Sequence, residues 1–269
     1  MRDKLKNILT IGAVHLPPLP GYAGFPGLNI ATKNALADAI AFQRAGFDAV
    51  IIENNYDIPH KEFTDPATIS AMTVIAQHVK ASLKIKLGIS VLWNDYKSAL
   101  SIAKIVRADF VRIPVFVDTV KTAYGVIKGN PSEVLKYKRS IGAENILIFS
   151  DIHVKHAKLF SHHNLIESAR RAVKFKSSAL IVTGRWTGDA PILKELEMVR
   201  KAFPSTAIIV GSGADVMNIS RLLHYANGVI VSTSLKKDGG AFHKHNIKSY
   251  QQRIDINKAK AFIKSIKAK

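Results

Sequence analysis

Eight short apolar, β-branched runs recur along this chain, each bounded by Gly, Pro, Asn or Asp and separated from the next by a helical pattern. They fall at residues 8–14, 49–53, 85–92, 110–115, 145–150, 180–183, 207–210 and 229–232. The runs are apolar at consecutive positions, as strands of a parallel sheet covered by helices must be. Strict β-α alternation with no linker or low-complexity segment predicts one α/β domain over residues 1–269. A doubly wound open sheet satisfies the same alternation. Eight units in this length, with small-residue turns after the last two strands, favour a closed (β/α)8 TIM barrel.

Helix ends can also be read. Asp65-Pro66, Asn130-Pro131 and Asp189-Ala190-Pro191 each place a capping side chain just ahead of a first-turn proline. Ala45-Gly46 reads as a helix closing on glycine. In the sixth helix Ile192, Leu196 and Val199 recur at i, i+4 and i+7, which predicts one apolar stripe.

Composition removes several function classes. The chain has no cysteine, so disulfides, thiolate nucleophiles and cysteine-ligated metals are excluded. No apolar run approaches the ~18–20 residues that span a bilayer. Arg2, Lys4 and Lys6 ahead of the first apolar run resemble a leader, but His15-Leu16-Pro17-Pro18 is no small-residue cleavage site. The run reads as a first strand, and the expected location is the cytoplasm. The 39 Lys+Arg against 20 Asp+Glu leave a net charge of +19. That excess admits peripheral contact with acidic proteins or lipid headgroups. The basic residues are scattered through predicted helices, so nucleic acid ranks last among partners. A homo-oligomer is compatible with the sequence and is not required by it.

In a barrel of this kind the chemistry sits where strands end, at the C-terminal face. His15 follows the first strand, Glu53-Asn54-Asn55 the second, Asn94-Asp95 the third, and Arg112 lies in the fourth. The fifth leads into Asp151-Ile152-His153-Val154-Lys155-His156, and the sixth ends in Thr183-Gly184. If the fifth strand stays extended, Asp151, His153 and Lys155 face one way. Asp151 or Glu53 is then a candidate general base, with Lys155 stabilising an anion or enolate. The alternative is a divalent metal on Asp151 and His153, with Glu53 or His15 as third ligand. Acid/base work is favoured, because no carboxylate cluster or helical His-x-x-x-His fixes a coordination sphere. No cofactor is required; a divalent metal is the one admitted. Glu53 closes an otherwise apolar strand and needs a partner or a task. Arg112 is either an ion pair within the barrel, with Glu53 its partner, or a second anion contact. Trp93 and Trp186 flank strand-end loops, where they can stack on a base or sugar ring or simply pack on a helix.

The stretch from residue 206 to 240 carries the clearest ligand signal. One strand ends in Gly211-Ser212-Gly213, a helix is expected just past the glycines, and the next strand ends in Ser232-Thr233-Ser234. Backbone amides exposed at such turns, together with a helix N-terminus, bind anions. Loops after the seventh and eighth strands are where a barrel holds a phosphate. Lys236 is a candidate additional contact, as are His15, Asn94, Arg112, Thr183 and Gly184 around the mouth.

Several segments together resemble the BtpA family, also called BtpA/SgcQ. They are His15-Leu16-Pro17-Pro18-Leu19-Pro20-Gly21, Gly46-Phe47-Asp48-Ala49-Val50-Ile51-Ile52-Glu53-Asn54 and Val91-Leu92-Trp93-Asn94-Asp95. Further on come Asp151-Ile152-His153-Val154-Lys155-His156-Ala157, Thr183-Gly184-Arg185-Trp186-Thr187-Gly188, Gly211-Ser212-Gly213 and Ser232-Thr233-Ser234-Leu235-Lys236-Lys237-Asp238-Gly239. The family pattern has Gly-Ser-Pro where this chain has Gly21-Tyr22-Ala23, and Asn where Pro114 stands. The resemblance implies a barrel of the ribulose-phosphate-binding class; it supplies no catalytic residues. Two functions are expected from the whole. One is an isomerase or lyase acting on a small phosphorylated molecule, with Glu53, Asp151 and Lys155 as catalytic residues. The other, following the family's link to photosystem I biogenesis, is a non-catalytic assembly factor that retains the barrel.

Overall fold

The computed structural model describes residues 8–237 and 250–267. Arg2, Lys4 and Lys6, the end of the anion-site stretch at 238–240, and His243 and His245 lie outside the described residues. The chain begins β1 (Leu9–His15), α1 (Leu28–Ala45), β2 (Ala49–Glu53), α2 (Pro66–Ser82), β3 (Lys86–Ser90), α3 (Tyr96–Val106) and β4 (Phe110–Ile113). Next come a hairpin, β5 (Thr119–Thr122) and β6 (Gly125–Lys128), then α4 (Pro131–Ser140), β7 (Leu147–Ile152), the short β8 (Ala157–Leu159) and α5 (Leu165–Lys174). The last units are β9 (Ala179–Val182), α6 (Leu193–Ala202), β10 (Ala207–Val210), α7 (Ile219–Leu222), β11 (Gly228–Val231) and α8 (Ile256–Lys267).

Eight of these strands close into a parallel barrel in the order β1-β2-β3-β4-β7-β9-β10-β11, with β11 pairing back onto β1. All eight expected runs are barrel strands. Ladder register fixes which side chains point inward. Ile11, Ala13, Ala49, Ile51, Phe110, Phe149, Ala179, Ile181, Ile209 and Ile230 form the interior cluster. The residues that alternate with them along each strand, such as Val14, Val50, Val111 and Ile148, pack outward against the helices. Helix ends follow the local signals where tertiary contacts permit. Asn130 caps α4 through Glu133 N, and Asp95 caps α3 through Ser98 N. Pro66 opens α2 behind Asp65, whose side chain makes no capping bond. Gly46 ends α1 in the left-handed region at φ +94°.

Three expectations are corrected. The sixth helix does not start at Asp189-Ala190-Pro191: α6 begins at Leu193, and Ile192 is 56% exposed while Leu196 and Val199 are buried. The segment ahead of it is held as a loop over the barrel end, because Ser212 Oγ donates to the Asp189 carbonyl at 2.7 Å. No long helix follows Gly213, since α7 is four residues long and starts at Ile219. The intervening turn is closed by Asp215 Oδ1, which accepts from the amides of Met217 and Asn218. Third, β5, β6 and β8 form a small antiparallel sheet beyond the barrel, which the alternation pattern did not predict. Val115, Val120, Ile127 and Val154 join Trp93 in a cluster beneath it.

Candidate active site

The period of two that builds the barrel also builds the mouth. Two residues beyond the interior Ala13, Ile51, Phe110 and Phe149 stand His15, Glu53, Arg112 and Asp151. The same step from Gly88, Ile181, Ile209 and Ile230 reaches Ser90, Thr183, Gly211 and Ser232. Alternation in a strand keeps each of these on the inner side, so they form a polar layer above an apolar one.

Arg112 organises that layer. Its Nε and Nη2 donate to Asp151 Oδ1 and Oδ2 at 2.9 and 2.8 Å, and its Nη1 donates to Glu53 Oε1 at 3.0 Å. Burial alone would lower the guanidinium pKa, but Asp151 and then Glu53 more than offset it, so the net shift is upward. Glu53 Oε2 lies 3.6 Å from His15 Nε2. That contact is not an ion pair. Burial first, then the charges of Lys236, Lys155 and Arg112, hold the His15 pKa well below its ordinary value. A neutral imidazole therefore faces the carboxylate.

Two cavities open above this layer. The smaller, about 200 Å³, is lined by His15, Glu53, Arg112 and Lys155 on one side and by residues of the last two strand-end loops on the other. The larger, about 1340 Å³, extends outward under the β5-β6-β8 sheet. Lys155 lines both. Arg112 pairs with both carboxylates, and Lys155 forms no ion pair among the described residues. Burial, followed by the Arg112 charge, lowers its pKa to about 8, against the opposing pull of Glu53 and Asp151. Asp151 lines neither cavity, and both its oxygens are engaged. Its geometry is that of a residue that positions Arg112.

The smaller cavity ends on Gly211, Ser212, Gly213 and Ala214 and on Ser232, Thr233 and Ser234. Several of the small residues expected to touch an anion brace the loops around the cavity. Ser212 Oγ accepts from Gly184 N while donating to Asp189 O, tying the sixth strand-end loop to the seventh. Ser234 Oγ donates to Ala214 O, tying the seventh to the eighth. Gly213 has φ +64°, and a Cβ there would lie 2.1 Å from Ala190 N and from the Asp189 carbonyl carbon. These contacts hold the loops around the cavity; Gly213 and Ala214 both line it, and their amides find no protein acceptor among the described residues. Ser232 lines the same cavity, and its hydroxyl is buried without a partner.

The remaining candidates divide. Thr183 and Gly184 line the larger cavity, and the Thr183 hydroxyl is buried and unpartnered. Asn94 lines neither cavity; its side-chain amide clasps both the N–H and the C=O of Val115. Lys236 also lines neither, being buried with its ammonium 5.7 Å from the centre of the Tyr56 ring. His153 leaves the fifth barrel strand at φ +53°, which breaks the extended geometry that would align it with Asp151. Among the described residues no group of three or more His, Cys, Asp or Glu is placed to hold a metal ion. No helix among them is long and apolar enough to cross a membrane. Sequence reasoning missed Ser90, a buried member of the polar layer, although the two-residue step from Gly88 on the third strand points to it. It also missed the His156–Thr187 bridge, 2.8 Å from Nε2 to Oγ1, which joins the fifth and sixth strand-end loops.

Fold and mouth together define a (β/α)8-barrel protein whose polar layer and cavities share the C-terminal face. The sequence model of the BtpA family matches residues 6–268, and the chain belongs to that family. It is 37% identical to the photosystem I biogenesis protein BtpA of Synechocystis sp. over 259 residues, covering 95% of this chain and 87% of the relative. An uncharacterised protein of Archaeoglobus fulgidus is 40% identical over 229 residues, with 85% of this chain and 92% of the relative covered. Among solved structures, (S)-3-O-geranylgeranylglyceryl phosphate synthase from Thermoplasma acidophilum, in complex with sn-glycerol-1-phosphate, superposes with a TM-score of 0.62. It is 14% identical, and 100% of this chain and 96% of that chain are covered. At that identity the likeness concerns the fold alone.

Proposed function

We propose that this protein is an enzyme of isomerase or lyase type acting on a small phosphorylated molecule. The phosphate occupies the smaller cavity, on the Gly213 and Ala214 amides and the Ser232 hydroxyl. The carbon skeleton then lies across Glu53 and Lys155. Glu53 Oε2, the oxygen Arg112 leaves uncommitted, is the general base. The Lys155 ammonium stabilises the negative charge that develops on the substrate, and Arg112 fixes Glu53 in place. The observation that carries the reading is the contiguity of the two halves: one 200 Å³ cavity is walled by Glu53, Arg112 and Lys155 and ends on the seventh and eighth strand-end loops.

The test is a panel of sugar phosphates and other phosphorylated metabolites in thermal denaturation of wild type, Ser232→Asp and Lys155→Met. At least one member should stabilise the wild type and Lys155→Met but not Ser232→Asp, whose added carboxylate repels the phosphate. A panel that leaves the wild-type melting temperature unchanged contradicts the reading. A non-catalytic assembly role is supported by the name of the Synechocystis relative. It requires that Glu53→Gln with Lys155→Met leave the cellular phenotype intact.

A further inference from the structure

The larger cavity exceeds what a sugar phosphate needs. At about 1340 Å³ it is larger than the roughly 300–1,000 Å³ typical of sites for drug-sized ligands. Its walls carry two aromatic pairs. His60 and Tyr124 meet edge-on with centroids 5.5 Å apart, and His156 and Trp186 meet at 5.3 Å. Tyr124 and Trp186 line the cavity and are each 42% exposed. Three of the lining residues each carry a buried polar atom without a partner: His60 Nδ1, His153 Nε2 and Thr183 Oγ1. Buried polar atoms are nearly always paired, so three orphans among the residues of one lining favour a ligand with hydrogen-bonding edges, which small side-chain rotations would bring within reach. An isoprenoid or other hydrocarbon group would leave them unsatisfied. A flat ring carrying nitrogen and oxygen satisfies them while stacking on the aromatic faces. Burial lowers the His60 pKa to about 4, so its imidazole is neutral and suited to a neutral heterocycle.

We propose that the phosphorylated ligand is a nucleoside monophosphate, with its phosphate in the smaller cavity and its base in the larger one against Trp186 and Tyr124. The assignment rests on the phosphate-binding reading above and extends it. The two cavities adjoin, with Lys155, Thr187 and Gly213 among the residues that line both, so one ligand can have a group in each. The sugar would then lie over Glu53 and Lys155.

The experiment is isothermal titration of the full chain with AMP, GMP, CMP and UMP, against ribose 5-phosphate, the matching nucleosides and farnesyl phosphate. At least one nucleotide should bind about tenfold or more tightly than ribose 5-phosphate, as expected when a base stacks on an aromatic side chain. Trp186→Ala, with Tyr124→Ala as a second variant, should bring that nucleotide to the ribose 5-phosphate level without changing ribose 5-phosphate itself. Four nucleotides no tighter than ribose 5-phosphate would overturn the assignment. So would a nucleotide affinity unchanged in both variants, or tighter binding of farnesyl phosphate. Nucleosides that bind as well as nucleotides, in a Trp186-dependent way, would keep the base site and remove the phosphate cradle. The two readings therefore fail separately.

Discussion

Arg112 holds Asp151 through two parallel hydrogen bonds, at 2.9 and 2.8 Å, with both side chains buried within the barrel end. A third bond, to Glu53, makes this one cation serving two carboxylates. Arg112→Met leaves both carboxylates buried without their counter-ion, which costs about 3–5 kcal/mol. Urea unfolding should show that loss. Arg112→Lys should recover only part of it, because an ammonium lacks the fork that fits Asp151.

Lys155 predicts a pH dependence of definite sign. Its ordinary pKa of 10.5 falls to about 8 in the folded protein. Between those values the unfolded chain carries a proton that the folded chain lacks, so stability rises with pH through that window. Lys155→Met should be the more favourable side chain for folding at pH 7, and its advantage over wild type should shrink from about pH 8 upward. Paired denaturation curves from pH 7 to 10 measure the difference. If the ammonium stabilises the developing anion, turnover falls over the same range.

The two hydroxyls of the cradle should behave oppositely. Ser212→Ala removes both braces, to Gly184 N and from Ser212 to Asp189 O, and should cost about 1–3 kcal/mol of stability. Ser232→Ala removes a buried hydroxyl with no partner, so stability should be kept or rise by about 1 kcal/mol. Phosphate-ligand affinity should fall several-fold in Ser232→Ala. Chemical denaturation with a parallel titration separates the two effects.

Gly213→Ala should destabilise the protein by about 2 kcal/mol or more, before any ligand is added. The cause is the left-handed backbone together with the collision of a Cβ with Asp189 and Ala190. Circular dichroism melting of the ligand-free variant checks this. It also makes Ser232, rather than Gly213, the position at which to probe the cradle.

The barrel was legible because eight buried strands leave eight apolar runs, and because a parallel strand must be followed by a crossover. His15, Glu53, Arg112 and Ser232 were legible because a polar residue closing a buried strand stands out. What those residues touch was not. Ser212 and Ser232 look alike in sequence, yet one is spent on a carbonyl and an amide from the neighbouring loop and the other has no partner. Asn94 resembles a mouth residue until Val115 is seen to take both ends of its amide. Each role depends on a partner 20 or more residues away. The hairpin of β5 and β6 escaped because its alternation spans only four residues a side, too short to register against the longer α/β repeat.

The proposed function requires an oxyanion to sit between the seventh and eighth strand-end loops. Anomalous diffraction from a crystal soaked in tungstate tests it most directly. A tungsten peak should appear in the smaller cavity, with its oxygens about 3 Å from Ser232 Oγ and the Gly213 and Ala214 amides. Peaks confined to surface lysines, with that cavity empty, would contradict it.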